Sequence, residues 1–387
     1  MRKVLGTTAA VLAVVFVLGL GAGGWYYTAE LLPAPQPEDP TYDVEVVAVD
    51  GSSGEVTLTA SEGDLVELER LGFWTATATL ELGEVLATDD EAVTRTATVL
   101  DGDWPEPGDV GTARATTFRG DPMEALGLPF EDVDVAGPDG VLPAWFVPGD
   151  DEADVARQGD VAVMVHGRGA TREELHRTLR SVHAVGLDAL VVSVRNDPEA
   201  PADPDGWGRF GDTEWEDLQA AVDHLVEQEG AERLVVVGSS QGASLTLGWL
   251  RRGEHGDRAI GAVLTSPLVS MHDTLVLQAQ GRDIPDLAIP PLLWSTKIIA
   301  TLRSGMRFHR LEHAADDVVD AYDVPMLVTH GTGDSTVPFD GSRQLADARP
   351  DLVQLEVYDD VEHVREWNAD PDRFDTDLTA FLTSVLD

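Results

Sequence analysis

The sequence predicts an α/β protein whose C-terminal part, residues 148–387, forms a mostly parallel, doubly wound sheet. After Asp150, short apolar runs alternate with amphipathic stretches, from VAVMV at 161 to VQLEVY at 353. Hydrophobic strands that alternate with helices are typical of a parallel sheet covered on both faces. The chain is 43% hydrophobic and 25% charged, which is close to ordinary globular usage and argues against wholesale disorder.

The N-terminal 30 residues predict a membrane segment. Arg2 and Lys3 precede an uncharged stretch, residues 4–29, and about 20 apolar residues suffice to cross a bilayer as a helix. Positive charges on the N-terminal side predict that the rest of the chain faces outward. We therefore expect residues 1–30 to form the transmembrane signal anchor of a single-pass protein of the cell membrane, with an extracytoplasmic body. The alternatives are a signal peptide cleaved at the small residues 22–24, which would give a secreted protein, and a helix of a buried hairpin, although nothing polar interrupts the run to give it a wet face.

Between this segment and the sheet, the sequence predicts a linker and a β-rich domain. Residues 31–40 read LLPAPQPEDP, a proline-rich linker that we expect to be extended. Residues 41–147 contain alternating runs such as EVTLTA and AVTRTATVL, separated by turn residues. Period-two alternation rich in Val and Thr indicates antiparallel strands, so we expect a small β-rich N-terminal domain.

Helix boundaries in the C-terminal part are marked by capping-box pairs and by glycines. They are Thr171 with Glu174 and Thr213 with Glu216 at the expected starts, and Gly186 and Gly230 at the expected ends. One apolar, proline-rich segment, residues 267–320, interrupts the alternation of strands and helices. We expect this insertion to fold as a cap over the end of the sheet that carries the functional loops. Its apolar side chains either line a hydrophobic pocket or pack the cap onto the body.

Charge and cysteine content exclude several classes of protein. The 387 residues include 70 Asp plus Glu and 26 Lys plus Arg, so the formal net charge is −44. This charge repels phosphate backbones, so we expect no nucleic-acid partner. The chain has no cysteine, which excludes disulfides, thiolate metal sites and a cysteine nucleophile.

A G-x-S-x-G pattern follows the predicted strand RLVVV and precedes a plausible helix. It reads Gly238-Ser239-Ser240-Gln241-Gly242. In a nucleophile elbow the central serine occupies a strained turn, and the flanking glycines leave room for neighbouring backbone. Ser240 is therefore the candidate nucleophile, with Gly238 and Gly242 as the glycines of the elbow. An ordinary turn of small residues is the alternative.

Groups that would activate this serine follow two later strands. Asp334 lies in the loop after PMLVTH, and His363 lies in the loop after VQLEVY. A serine hydroxyl needs a base that takes its proton and a carboxylate that orients the base. The chain order serine, aspartate, histidine fits a hydrolase with a nucleophile elbow. To bind the oxyanion, we expect the backbone N–H of Gln241, directly after Ser240, and that of Arg168 in the loop HGRGA at 166.

With these motifs, the chain from about residue 160 onward resembles the α/β-hydrolase superfamily. With its apolar N-terminal segment and β-rich preface, it is similar to exported bacterial serine hydrolases of the esterase, dienelactone hydrolase and prolyl-oligopeptidase-like branches. The resemblance implies an α/β-hydrolase fold with a cap insertion, in which Ser240 is the nucleophile, Asp334 the acid and His363 the base. Gln241 stands where His or Met is commoner in the family, which bears on the substrate class rather than on the chemistry.

The sequence therefore predicts a serine hydrolase that cleaves a small-molecule ester or acyl substrate through an acyl-enzyme, without a cofactor. His309 and His313 are four residues apart, but no glutamate follows His309 as in the zinc motif H-E-x-x-H, so we expect no metal. The alternatives are a prolyl-oligopeptidase-like peptidase or amidase, and a non-catalytic protein that uses the hydrolase fold for binding. No motif indicates an oligomeric state or an acyl chain length.

Overall fold

The computed structural model describes residues 2–37, 40–59, 63–153 and 155–387, which form a small barrel and a large mixed sheet flanked by helices. The strands are β1 Val44–Asp50, β2 Glu55–Thr59, β3 Leu71–Thr75, β4 Ala78–Thr88, β5 Ala92–Gly102, β6 Val110–Arg114, β7 Glu131–Gly137, β8 Gly140–Val147, β9 Asp160–Val165, β10 Asp188–Val192, β11 Arg233–Ser239, β12 Ala259–Thr265, β13 Met326–Gly331 and β14 Val353–Tyr358. The helices are α1 Arg2–Leu31, α2 Asp64–Glu67, α3 Pro122–Leu126, α4 His176–Ala184, α5 Trp215–His224, α6 Gln241–Arg252, α7 Met271–Gln280, α8 Ile289–Ser304, α9 Phe339–Ala348, α10 Glu366–Ala369 and α11 Pro371–Leu386.

Strands β1 to β6 close into an antiparallel barrel in the order β1-β2-β5-β4-β3-β6. In β2, and in the first half of β5, every second side chain is buried, as the period-two alternation predicts. Apolar side chains such as Phe73 fill the interior. Arg95 is also fully buried there, and its guanidinium donates to the carbonyl oxygens of Gly83 (2.8 Å), Leu65 (3.0 Å) and Leu68 (2.7 Å). Burial lowers the pKa of Arg95 to about 10, and the buried cation is tolerated because its donors are satisfied.

The second sheet has eight strands in the order β14-β13-β12-β11-β9-β10-β8-β7. Strands β9 to β14 run parallel to one another, whereas β8 and β7 form an antiparallel hairpin at one edge. Two clusters of buried apolar side chains fill the space between the sheet and its helices. The predicted β-rich domain, residues 41–147, extends too far along the chain. Its last part, residues 131–147, forms β7 and β8, and β8 pairs with β10 of the large sheet rather than with the barrel.

Helix ends follow the sequence prediction more closely than helix starts do. The ends predicted from glycines are confirmed by positive φ, at Gly186 (79°) and Gly230 (71°). Both predicted capping boxes are wrong: Thr171 makes no side-chain cap hydrogen bond, and α5 begins after Glu214 rather than after Thr213. The carboxylate of Glu174 instead accepts the N–H of Gly167 at 2.8 Å, because the loop after β9 folds back onto it. A tertiary partner thus replaces the local one.

Helix α1 packs along α8. Gly24 lies so close to α8 that a Cβ there would stand 3.0 Å from the carbonyl carbon of Ser295, and the hydroxyl of Ser295 donates to the backbone of α1 at 2.9 Å. Beyond the helix, Leu32 is fully buried, so the predicted linker at 31–40 begins inside the fold. Within the described residues, no helix is both long enough and apolar enough to cross a bilayer. The predicted transmembrane anchor at residues 1–30 is therefore wrong, and so is the single-pass membrane location with an extracytoplasmic body.

Candidate active site

Four loops meet at the carboxyl edge of the large sheet. They follow β9, β11, β13 and β14 and carry Arg168, Ser240, Asp334 and His363 respectively. Parallel strands end at a common edge, so residues that are far apart in the chain come together there. The sequence prediction depended on this geometry, and the structure brings the four residues to the same edge.

Ser240 occupies the turn between β11 and α6. Its backbone has φ 50° and ψ −111°, a conformation that costs a non-glycine residue about 1–3 kcal/mol. The turn is held on both sides: the N–H of Ser240 donates to the carbonyl oxygen of Thr265 at 2.8 Å, and the carbonyl oxygen of Ser240 accepts the N–H of Leu268 at 3.2 Å. The strained backbone raises the side chain at the strand end, which is the arrangement of a nucleophile elbow.

The two glycines of the elbow are required by packing. A Cβ on Gly238 would stand 2.6 Å from the backbone nitrogen of Ala243. A Cβ on Gly242 would stand 2.6 Å from the carbonyl oxygen of His166 and even closer to that of Val165. Real Cβ atoms do not approach backbone so closely, so only glycine lets α6 lie against the end of β9.

A continuous hydrogen-bonded chain joins the serine, the histidine and the aspartate. Nε2 of His363 is 2.8 Å from Oγ of Ser240, and Nδ1 of His363 is 2.6 Å from Oδ2 of Asp334. Because the carboxylate only accepts, Nδ1 carries the proton and Nε2 is free to accept the serine hydroxyl proton. This tautomer is the one that a general base at Ser240 needs.

Asp334 is held as an ionised acceptor by its surroundings. Oδ2 also accepts from Nε2 of His330 at 3.0 Å, and Oδ1 accepts the N–H groups of Thr336 and Val337, each at 2.8 Å. Burial would raise the pKa of the Asp334 carboxyl, but the hydrogen bonds from His330 and His363 and the positive charge of His363 outweigh it and hold that pKa below its ordinary value. His330 is therefore a structural donor, with its other nitrogen 2.7 Å from the hydroxyl of Ser342.

The pKa of His363 lies above its ordinary value. Burial would lower it, but the hydrogen bond to Asp334 and the negative charge of that carboxylate raise it by more. The carboxylates of Glu366 and Glu174 act in the same direction. A negative environment of this kind stabilises the imidazolium form of His363.

Two glutamates that the sequence analysis missed support this edge of the sheet. Glu366 is fully buried and accepts the hydroxyl of Ser266 at 2.6 Å, and burial raises the pKa of its carboxyl. Glu174 binds the N–H of Gly167. In a chain with 70 acidic residues no local pattern separates these two from solvated acids. The one sequence signal that could have indicated the role of Glu366 is that it follows the His363 loop closely in the chain.

The two backbone N–H groups expected to bind an oxyanion lie near Ser240, in the loop after β9 and at the start of α6. The N–H of Gln241 lies in the first turn of α6, where it has no intrahelical acceptor. In the other loop, the N–H of Gly167 is engaged by Glu174, and that of Ala170 donates to Gly167 at 3.3 Å. The N–H of Arg168 lies between them in the chain, on the loop that borders Ser240.

The half-buried guanidinium of Arg168 binds other parts of the chain. It donates to the carbonyl oxygens of Leu31 (3.0 Å) and Pro33 (2.7 Å) and lies over the ring of Phe210, 4.5 Å from its centroid. Burial lowers the pKa of Arg168 to about 10. The side chain thus binds the N-terminal segment of the chain itself.

A cavity of about 440 Å³ opens beside Ser240. Helices α7 and α8, which belong to the insertion at 267–320, form much of its wall, and their lining side chains are mostly apolar. The N-terminal segment forms another part that the sequence did not predict. The lining includes Met271, Leu275, Leu292 and Leu293 from the insertion, and Tyr27, Glu30, Leu31 and Pro35 from the N-terminal segment.

The histidine pair considered as a metal site has a different role. His313 is fully buried, with its ring nitrogens 3.1 Å from the hydroxyls of Ser244 and Tyr322. Burial holds its pKa well below the ordinary value, so the ring is neutral and serves as a polar link in the core. Among the residues that the structure describes, no three His, Asp or Glu side chains form a group that could hold a metal ion.

Comparison with known proteins agrees with this architecture. The sequence pattern of the prolyl oligopeptidase family matches residues 204–387, whereas no curated protein matches the chain. Among solved structures, the chain is similar to an esterase from Pyrococcus furiosus, with 19% identity and a TM-score of 0.53 over 70% of this chain and 95% of that one. It is also similar to an esterase/lipase from an uncultured bacterium, with 20% identity and a TM-score of 0.49 over 68% of this chain and 86% of that one.

The strand order, the nucleophile elbow and the likeness to the Pyrococcus furiosus esterase all point to one fold. In that fold a mostly parallel sheet presents the serine, the acid and the histidine on the loops after three of its strands. The chain therefore has the α/β-hydrolase fold, and its residues 204–387 match the prolyl oligopeptidase family.

Proposed function

We propose that this protein is a serine hydrolase that cleaves carboxylic esters, with Ser240 as nucleophile, His363 as general base and acid, and Asp334 as the carboxylate that orients His363. The observation that carries the proposal is the hydrogen-bonded chain from Ser240 through His363 to Asp334, at 2.8 and 2.6 Å. These distances are those that a nucleophile and its base require.

The geometry supports the following course of reaction. Oγ of Ser240 attacks the ester carbonyl carbon while Nε2 of His363 takes the hydroxyl proton, and Asp334 stabilises the resulting imidazolium. The N–H groups of Gln241 and Arg168 donate to the oxyanion of the tetrahedral intermediate. His363 then gives its proton to the departing alkoxide, which leaves as the alcohol. Water, activated by the same imidazole, attacks the acyl-enzyme in a second tetrahedral step and releases the carboxylic acid.

The ester substrate is favoured by the cavity beside Ser240. Its largely apolar wall, formed by α7, α8 and the N-terminal segment, suits an acyl chain rather than a charged or peptide substrate. We also propose that the insertion at 267–320 acts as the cap of this site, since α7 and α8 lie over the serine. No part of this reaction requires a cofactor.

A second candidate is a peptidase or amidase, which the match to the prolyl oligopeptidase family over residues 204–387 supports. One panel of ester and amide substrates distinguishes the two activities. Cleavage of aminoacyl arylamides without cleavage of aryl esters would favour the peptidase, and the reverse would favour the esterase.

The test treats the full chain with a fluorophosphonate probe and locates the adduct by mass spectrometry. We expect labelling at Ser240 in the unmodified chain and in Ser239→Ala, a control that removes the neighbouring hydroxyl. Ser240→Ala should lose the label and several orders of magnitude in turnover, and His363→Ala should label far more slowly. A folded protein that is not labelled, or is labelled elsewhere, would contradict the proposal and favour a hydrolase fold used only for binding.

A further inference from the structure

The segment from Tyr27 to Pro35 runs along the active-site cavity. Tyr27, Glu30 and Leu31 at the end of α1, and Pro35 beyond it, line the same cavity as Ser240 and His363. The segment lies more than 100 residues before the hydrolase motifs in the chain. Nothing in those motifs indicates that it reaches the site.

Close helix packing fixes the first half of this segment. Thr28 is fully buried, and its hydroxyl donates to the carbonyl oxygen of Gly24 at 2.6 Å and lies 3.3 Å from that of Thr296 on α8. Gly24 lets the two backbones approach at this point. Since the contact face of α1 is set by these small residues, the side chains that face the cavity, Tyr27 and Leu31, have fixed positions.

The second half of the segment is bound to the body by its backbone. The carbonyl oxygen of Leu32 accepts the N–H of Gly208 at 2.7 Å, and the Leu32 side chain is fully buried in a cluster with Phe210 and Met271. The guanidinium of Arg168 donates to the carbonyl oxygens on both sides of Leu32. The residue that offers a backbone N–H to the oxyanion therefore also holds the segment in place.

We propose that Tyr27 and Leu31 determine substrate specificity: they form the wall that limits the length of an uncharged aliphatic acyl chain bound beside Ser240. The inference rests on the proposed ester hydrolysis. The opposite wall is apolar, from Leu275, Leu292 and Leu293, so an acyl chain gains by burial until it meets the N-terminal segment. Among the lining side chains, the carboxylate of Glu30 lies 4.0 Å from the guanidinium of Arg282, so the two opposite charges offset each other and the lining suits an uncharged chain.

The test measures kcat/KM on p-nitrophenyl esters with acyl chains from butanoyl to dodecanoyl, using the full chain. Tyr27→Ala shortens the wall and should raise the dodecanoyl-to-butanoyl ratio about tenfold, since a change of one or two groups in an apolar pocket discriminates by roughly 10 to 200-fold. Leu31→Phe fills the cavity and should lower the same ratio. Trp25→Ala is the matched control, because this aromatic side chain on α1 is 58% exposed and does not line the cavity. Its ratio should equal that of the unmodified chain.

Labelling each variant with a short fluorophosphonate distinguishes a failure of the proposed acyl-chain wall from a failure of the proposed hydrolase activity. If Ser240 is labelled at the rate of the unmodified chain but the chain-length ratios do not change in Tyr27→Ala or Leu31→Phe, the proposed role of the wall is wrong. The proposed hydrolase activity is then unaffected. Ratios that shift equally in Trp25→Ala would also overturn the proposed wall, since the effect would then come from α1 as a whole. An unmodified chain that is neither labelled nor hydrolyses any ester would overturn the proposed function and this inference with it.

Discussion

Asp334 accepts more hydrogen bonds than orienting one histidine requires. Two imidazoles and two backbone N–H groups converge on its carboxylate. His330 contributes one of them from inside the core, where it is fully buried. The hydrogen bonds that lower the pKa of this carboxyl keep it ionised near neutrality, so a change of activity there does not come from Asp334.

The loss of activity at low pH should reflect the interaction between His363 and Asp334. His363 accepts the proton of Ser240 only when it is neutral, so kcat/KM should fall as pH drops through the His363 pKa, which lies above the ordinary 6.5. Asp334→Asn removes the charge that raises this pKa while burial, which lowers it, remains. The midpoint should therefore move to lower pH, with kcat reduced by roughly 10⁴-fold, as for the same change in other triads. The measurement is kcat/KM of both proteins from pH 4 to 9. An unchanged midpoint would mean that the titrating group is not His363.

At this scale the sequence predicted which three side chains would meet and missed the residues that support them. Ser240, Asp334 and His363 were identifiable because each follows an apolar run and because their order is characteristic. Glu174 and Glu366 were not, since burial of an acid depends on which segments pack over it. The Arg168 side chain was also unpredictable, because its partners lie some 135 residues away.

Among the elements, β11, the elbow and α6 depend on two glycines. Gly242→Ala would place a methyl group against the carbonyl oxygens at the end of β9, so α6 must shift or the turn at Ser240 must relax. We expect a loss of about 1–3 kcal/mol of unfolding free energy, as for other overpacked sites, and a reduced kcat because Ser240 moves. Gly256→Ala is the control, since no heavy atom lies within 4 Å of its Cβ position. Urea unfolding of both variants checks this prediction, and equal midpoints for both would contradict it.

The hydrophobic pattern of the sequence predicted some strands and helices correctly and misplaced others. The continuous apolar strands β9 to β13 were recognisable because both of their faces are covered. Strands β7 and β8 alternate like those of the barrel, and alternation alone does not say which sheet a strand joins. Helix α1 is uncharged over most of its length, which indicated a bilayer, but small residues such as Gly24 fit it against α8 instead.

At the scale of the whole molecule, the barrel contacts helix α10, which follows the loop that carries His363. Helix α10 begins three residues after His363. In it Asn368 is fully buried, and its side-chain nitrogen donates to the carbonyl oxygens of Arg70 (3.0 Å) and Ala115 (2.9 Å), which belong to the barrel side. Its side-chain oxygen accepts from Arg177 of α4 at 2.7 Å. One amide thus joins the barrel, α4 and the loop that carries His363.

Replacing this amide should loosen the barrel and the active site together. Asn368→Ala removes a donor to the carbonyl oxygens of Arg70 and Ala115 and one acceptor of the buried Arg177 guanidinium. Each buried polar group left unsatisfied costs about 1–3 kcal/mol. We expect a clearly lower unfolding free energy and a lower kcat with little change in KM, because the His363 loop loses its support rather than its pocket. Arg365→Ala is the matched control, since it removes a partly exposed ion pair with Asp64 that spans the same contact. Such pairs contribute about 0–1 kcal/mol. Calorimetry and steady-state kinetics on both variants decide the matter: if Asn368→Ala unfolds like Arg365→Ala and keeps its kcat, the barrel does not support the site.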